Sequence, residues 1–169
     1  LNLADYNNGA ITPNGKSVNL TKTVLNENPI LINKIIETSG HKIGYLMYNG
    51  FYSNYDTQLN DAFASLKGVT DLVLDLRYNS GGSIQSATRL ASMITGESTT
   101  DKVFSKERWN NKINAYFESE DPDALKNLFV DKMGSTPLNR LNLTKVYILT
   151  TQSTASASEL IINGLKPYI

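Results

Sequence analysis

Twice in this chain an apolar run of strand length passes through a short loop of small residues straight into a helical pattern. No other feature constrains the fold as much. "DLVLDL" (71–76) is followed by "RYNSGG" and then by Ile84, Ala87, Leu90, Ala91 and Ile94 at helical spacing, closed by Gly96. "TKVYILT" (144–150) is followed by "TQSTAS" and then by Leu160, Ile161, Gly164 and Leu165 on one helical face. A buried strand feeding a helix is half of a parallel crossover, so the expected class is α/β: a mixed, partly parallel sheet flanked by helices. Ligands of such sheets bind beyond the carboxyl ends of the strands, where both loops stand.

The remaining pattern is read around these two units. "LNLADYNNGAITPNGKSV" is rich in Asn, Gly and Pro and reads as one short strand followed by turns, so residues 1–17 are expected to be a linker or the tail of a preceding domain, with the core at 18–169. Val18, Leu20 and Val24 alternate with polar residues and predict a strand, although Lys22 falls on its apolar face. "KIGYLMY" (42–48) predicts another. Leu59, Ala62, Phe63 and Leu66 predict a helix with Ser53 or Asn54 as cap and Gly68 as stop. Between 101 and 140 the pattern predicts strands in "KVFSKERW" and "INAYF" around a turn at Asn110 and Asn111. A short helix over "DPDALKNLF" follows, capped by Asp121 with Pro122 in its first turn.

Composition removes several function classes. A length of 169 residues suits one main domain. Sixteen basic and sixteen acidic residues leave no net charge to draw the chain to nucleic acid. Without cysteine there is no disulfide, thiolate nucleophile or cysteine metal site, and one histidine, His41, read as an exposed loop residue, supplies poorly both a metal centre and a Ser/His/Asp triad. No cofactor or metal is expected. No apolar run approaches the roughly 20 residues that span a bilayer, and the first residues lack a signal peptide's basic and apolar regions.

Two readings of the serine cluster stay open on spacing alone. Ser156-Ala-Ser-Glu159 has the spacing of a capping box, in which serine and glutamate exchange hydrogen bonds across a helix start. The same position, flanked by Ala155 and Ala157, also leaves a hydroxyl approachable where the helix terminus favours developing negative charge. A serine nucleophile needs a base, and Lys166, ten residues along the same helix and about 15 Å away on its axis, cannot serve Ser156. Asn79-Ser80-Gly81-Gly82 reads equally as a tight turn, Asp75 with Arg77 as a local exposed ion pair, and Tyr45, Tyr48, Phe51, Tyr52 and Tyr55 as core and loop packing. The sequons at Asn19 and Asn142 are assigned no role.

"LVLDLRYNSGGSI", followed downstream by "VYILTTQSTASASELI", resembles the core of the tail-specific, or carboxyl-terminal processing, serine peptidases. The resemblance runs from about Val18 to the last residue and rests on the two motifs occurring in this order. It implies ClpP/crotonase-like ββα units, a Ser/Lys dyad and peptide-bond hydrolysis through an acyl-enzyme. It places the nucleophile on Ser156 rather than Ser153 or Ser158, the oxyanion hole on amides of Gly81 or Gly82 and Ala157, and active-site support on Glu159. The general-base lysine of such peptidases lies further downstream than Ile169, so the expectation is a core truncated before that lysine, incomplete at its C-terminal side and inactive by itself. The resemblance further implies an extended polypeptide substrate, a PDZ domain upstream in the parent, and a periplasmic or exported place in a bacterial cell envelope. The alternative is a noncatalytic peptide- or ligand-binding domain on the same fold.

Overall fold

The first seventeen residues make a hairpin, not one short strand followed by turns. The structure, a computed structural model, describes residues 1–169 throughout. β1 (Asn2–Asn7) pairs antiparallel with β2 (Ala10–Ser17) across Asn8 and Gly9, whose φ values of 46° and 88° are the left-handed pair a two-residue type I′ connection requires. The expectation of a single strand fails because Asn-Gly is hairpin chemistry. The strand expected over 18–24 does not form either: Val18 exchanges hydrogen bonds with Leu1 at the open end of the hairpin, but the segment beyond it pairs with nothing, and Leu20 and Val24 are 69% and 88% exposed. Alternation alone does not make a strand.

β3 (Ile30–Thr38), not anticipated, folds back antiparallel onto β4 (His41–Tyr48). A single 3₁₀ turn over Ser53–Tyr55 then leads into α1 (Asp56–Ser65), so neither Ser53 nor Asn54 caps the helix. The predicted stripe of Leu59, Ala62, Phe63 and Leu66 is buried. β5 (Asp71–Asp75) pairs parallel with β4, and α2 (Ile84–Thr95) follows it, started by Ser83, whose hydroxyl accepts from the Ser86 amide, and stopped at Gly96 with φ 73°.

Residues 101–140 depart most from expectation. β6 (Val103–Lys106) is present, but "INAYF" lies in α3 (Asn111–Glu120): the Asn110 side chain accepts from the Ile113 amide at 3.1 Å, so the Asn pair begins a helix instead of turning a hairpin. The helix expected at "DPDALKNLF" is replaced by a turn in which Asp121 accepts from the Asp123 amide, and then by β7 (Lys126–Leu128), antiparallel to β6. β8 (Lys132–Met133) and β9 (Thr136–Pro137) form a minimal hairpin. The Leu141 and Leu143 amides donate to the Met93 and Ile94 carbonyls at 2.8 and 2.9 Å, satisfying the end of α2, while Asn142, at φ 54°, accepts from the Glu97 amide. That clamp aims the chain into β10 (Tyr147–Leu149) and α4 (Ala157–Leu165).

The main sheet has the order β10-β5-β4-β3, parallel except for the β3 edge. Leu46, Tyr48, Leu72, Leu74 and Leu76 face one way and share a buried cluster with Leu59 and Phe63 of α1, Leu90 and Ile94 of α2 and Ile161 and Leu165 of α4. Each such side chain removed from water contributes about 1.5–3 kcal/mol. Gly164 gives α4 its closest neighbour, since a Cβ there would stand 2.4 Å from the Phe104 ring. Phe104, Phe129 and Tyr168 then stack edge to face at 5.3 and 5.0 Å.

Candidate functional site

Both strand-to-helix loops emerge at the carboxyl end of the parallel pair β5 and β10, and they are laced together. Leu76 donates its amide to the Leu149 carbonyl at 2.9 Å, the Thr154 hydroxyl donates to the Leu76 carbonyl at 2.8 Å, and the Thr151 hydroxyl donates to the Arg77 carbonyl. The Asn79 carbonyl accepts from the Ala155 amide at 3.3 Å and from the Ser158 hydroxyl at 3.1 Å. Parallel pairing of the strands thus continues into their loops through side chains.

Asp75 and Arg77 are not the exposed pair that their spacing implies. The Asp75 side chain is fully buried and takes Arg77 Nε at 3.0 Å and Nη2 at 2.7 Å, the Arg77 amide at 3.1 Å, and the Tyr45 hydroxyl at 2.6 Å. The Arg77 guanidinium hydrogen bonds, with help from Tyr45, hold the Asp75 carboxyl down to about 2 against the opposing effect of burial. This group anchors the root of the Gly-Gly loop to β4, and the architectural reading of the pair stands.

Ser156 occupies the residue before α4 with φ 55° and ψ −116°, a conformation that costs a non-glycine residue about 1–3 kcal/mol. Ser156 and Glu159 face each other as a capping box: Glu159 Oε2 accepts from the Ser156 amide at 2.8 Å, and the serine oxygen faces the Glu159 amide without the geometry of a formed hydrogen bond. Glu159 therefore holds the backbone of Ser156, and the hydroxyl stays exposed to solvent. The capping reading accounts fully for the glutamate and for the serine oxygen only through its loose approach to the Glu159 amide.

The diglycine loop lies directly against this residue. A Cβ on Gly81 would stand 2.6 Å from Ser156 Cβ and 2.9 Å from the Ala157 nitrogen, and Gly81 and Gly82 have φ values of 107° and 138°. Their amides are not equivalent. Gly81 donates to Asn79 Oδ1 at 2.9 Å, which removes it as a free donor, whereas the Gly82 and Ala157 amides have no hydrogen-bond partner within the protein. Gly82 is fixed by the pairing of its neighbours with Phe51: Phe51 donates to the Gly81 carbonyl at 3.0 Å and accepts from the Ser83 amide at 2.8 Å.

The other sequence candidates fall elsewhere. Ser153 lies on the exposed turn before α4, Ser158 is fully buried, and Lys166 sits at the far end of α4. His41 begins β4 instead of lying in a loop; it is exposed and hydrogen-bonded through Nδ1 to Asp71 at 3.0 Å, at the amino end of β5. No group of three or more His, Cys, Asp or Glu side chains is placed to hold a metal. A cavity of about 390 Å³ lined by Val146, Ile148, Ile162, Leu165 and Ile169 runs along α4 and the unpaired edge of β10, away from Ser156. Spacing did not single out Thr151 and Thr154, and it gave Asn79 only as part of a tight turn; small hydrogen-bonding side chains in both loops were the available signal.

The model of Peptidase family S41 matches residues 42–168. A carboxyl-terminal-processing protease of Picosynechococcus is 29% identical over 153 residues, which is 89% of this chain and 32% of that protein. A "Probable CtpA-like serine protease" of Staphylococcus epidermidis is 28% identical over 128 residues, 75% of this chain and 22% of the relative. Among solved structures, a Bacteroides fragilis protein assigned to the S41 proteases superposes with a TM-score of 0.74 at 32% identity, covering 95% of this chain and 41% of that one. The photosystem II D1 C-terminal processing protease, at 24% identity and a TM-score of 0.55, shares the fold. The chain thus spans about a third or less of the curated relatives it matches.

Proposed function

The chain belongs to peptidase family S41, and from that premise we propose that it carries the nucleophile and oxyanion hole of a serine endopeptidase with a Ser/Lys dyad. The observation that carries the reading is the contact of the diglycine loop with Ser156, where a single added methyl would reach the nucleophile's own Cβ at 2.6 Å. The Ser156 hydroxyl attacks the carbonyl carbon of a peptide bond and loses its proton to a neutral lysine. The oxyanion settles between the Gly82 and Ala157 amides. The lysinium returns its proton to the departing amine, and water then releases the acyl group from Ser156.

The lysine comes from outside residues 1–169. Lys166 is held at the opposite end of α4, and the free edge of β10, with the apolar cavity beside it, can accept a further strand that carries the base. The substrate is a polypeptide bound extended, in keeping with the carboxyl-terminal processing for which relatives are named. By the same resemblance a PDZ domain precedes the core and the protein acts in the cell envelope.

The test uses the full-length protein with an unstructured peptide substrate. Cleavage that Ser156→Ala abolishes, together with no turnover by residues 1–169 alone, is the expected result. Cleavage surviving in Ser156→Ala overturns the assignment. Peptide binding without cleavage in full-length protein, unchanged by the substitution, favours a noncatalytic binding domain.

A further inference from the structure

We propose that Asn79 is a positioning residue for acyl transfer, a buried clip that sets the diglycine loop and the start of α4 at the separation the oxyanion requires. The proposal rests on the peptidase reading and adds to it a residue that touches neither substrate nor nucleophile.

Asn79 is completely buried, and each of its polar atoms has a partner. Its amide donates to the Leu76 carbonyl at 3.1 Å and its carbonyl accepts from Ala155 and Ser158, which belong to the other loop and to α4. Its Nδ2 donates to the Tyr48 carbonyl at the end of β4 at 2.8 Å, and its Oδ1 accepts from Gly81 at 2.9 Å. One residue therefore joins three elements: the last residue of β4, the loop bearing one oxyanion amide and the helix bearing the other.

The chemistry explains why asparagine suits the place. The side chain must donate to one backbone group and accept from another, and a neutral amide does both at once without a buried charge. It takes the amide of Gly81, the glycine that lies against Ser156, and the next amide in the loop, that of Gly82, is the unpartnered one. Attachment of the loops does not depend on it, since Leu76 to Leu149, Thr154 to Leu76 and Thr151 to Arg77 persist without the Asn79 side chain. What Asn79 controls is the aim of Gly82, a quantity that matters when negative charge develops and much less when substrate binds.

The measurement is steady-state cleavage by the full-length protein, with Ser156→Ala run in parallel. Asn79→Ala is expected to lower kcat about 100-fold, the scale of a lost oxyanion donor, with KM within about threefold. Asn79→Asp supplies the second readout. As a carboxylate it accepts from Gly81 but repels the Tyr48 carbonyl, and as a neutral acid it both accepts and donates, so its activity relative to wild type should rise as pH falls. If Ser156→Ala abolishes cleavage while Asn79→Ala keeps kcat within threefold, the positioning role is refuted and the peptidase reading survives. If Asn79→Ala does not fold, the Asp variant decides: a relative activity independent of pH refutes the role. Cleavage persisting in Ser156→Ala removes both proposals, and that variant alone identifies this case.

Discussion

Ser156 holds a backbone conformation suited to glycine, and its hydroxyl faces the Glu159 amide in a capping box without closing a formed hydrogen bond in compensation. A serine kept for capping would do the opposite. Removing its oxygen should therefore cost little: Ser156→Ala is expected within about 0.5 kcal/mol of wild type in denaturant unfolding, below the 0.5–2 kcal/mol typical of a lost cap. Ser156→Gly, which relieves the left-handed φ of 55°, should stabilise by up to about 1 kcal/mol, with cleavage by the full-length protein lost in both variants. A stability loss above 1 kcal/mol in the alanine variant would return the residue to a capping role. Gly81 presents the converse case. Gly81→Ala drives a methyl into Ser156 Cβ and into backbone atoms at 2.9 Å that cannot swing aside, at a φ of 107°, so it should destabilise by several kcal/mol. Gly82→Ala meets the Phe51 carbonyl oxygen at 2.3 Å and should behave alike in thermal unfolding.

At the scale of elements, α1 and α2 are tied by an ion pair that the sheet does not need. Asp56, in the first turn of α1, and Arg89 of α2 have side chains only 2% and 16% exposed, and Asp56 Oδ1 has no partner besides. Arg89→Met leaves a buried carboxylate uncompensated and should cost about 3–5 kcal/mol by chemical denaturation, whereas adding Asp56→Asn should recover much of that loss. Three of the four helices, α1, α2 and α4, were plain from periodicity, because their predicted faces reach the shared core, Ile84 at the start of α2 excepted at 43% exposed. β4 and β5 were equally plain, being continuous apolar runs. What sequence patterns hid was whatever needed a distant partner or a local cap. The alternation beyond Val18 had no strand to pair with, β3 became visible only as the mate of β4, and Asn110 served a helix where a turn was expected. At the site, Ser156 and the diglycine were legible as motifs, and the Peptidase family S41 match covers both. The division of labour between Gly81 and Gly82 was not, since it depends on an Asn79 side chain whose other partner, Tyr48, lies 31 residues away in sequence.

For the molecule as a whole, a formal charge of zero keeps long-range electrostatics weak, so pH should act through particular buried groups. Two carboxylates on β5 dominate. Asp71 is lowered by hydrogen bonds from His41 and Thr70, and Asp75 is lowered from 3.8 to about 2, chiefly by Arg77. A carboxyl depressed in the folded state binds its proton more readily once unfolded, so its stabilisation is complete above the unfolded value. It is lost as pH falls through the folded one. For Asp75 that window runs from about 4 down to about 2. The Arg77 side chain is 42% exposed, so solvent screens the pair, and a contribution of about 1–2 kcal/mol is a fair magnitude. Urea midpoints should be nearly constant from pH 7 to 5 and then decline steeply below pH 4. Asp75→Asn should lower the plateau and flatten the decline, because an amide carries no proton linkage yet forfeits the charge on which Arg77 and Tyr45 converge. An acid limb as steep in Asp75→Asn as in wild type would move the origin of acid sensitivity to other carboxylates and detach the root of the Gly-Gly loop from it.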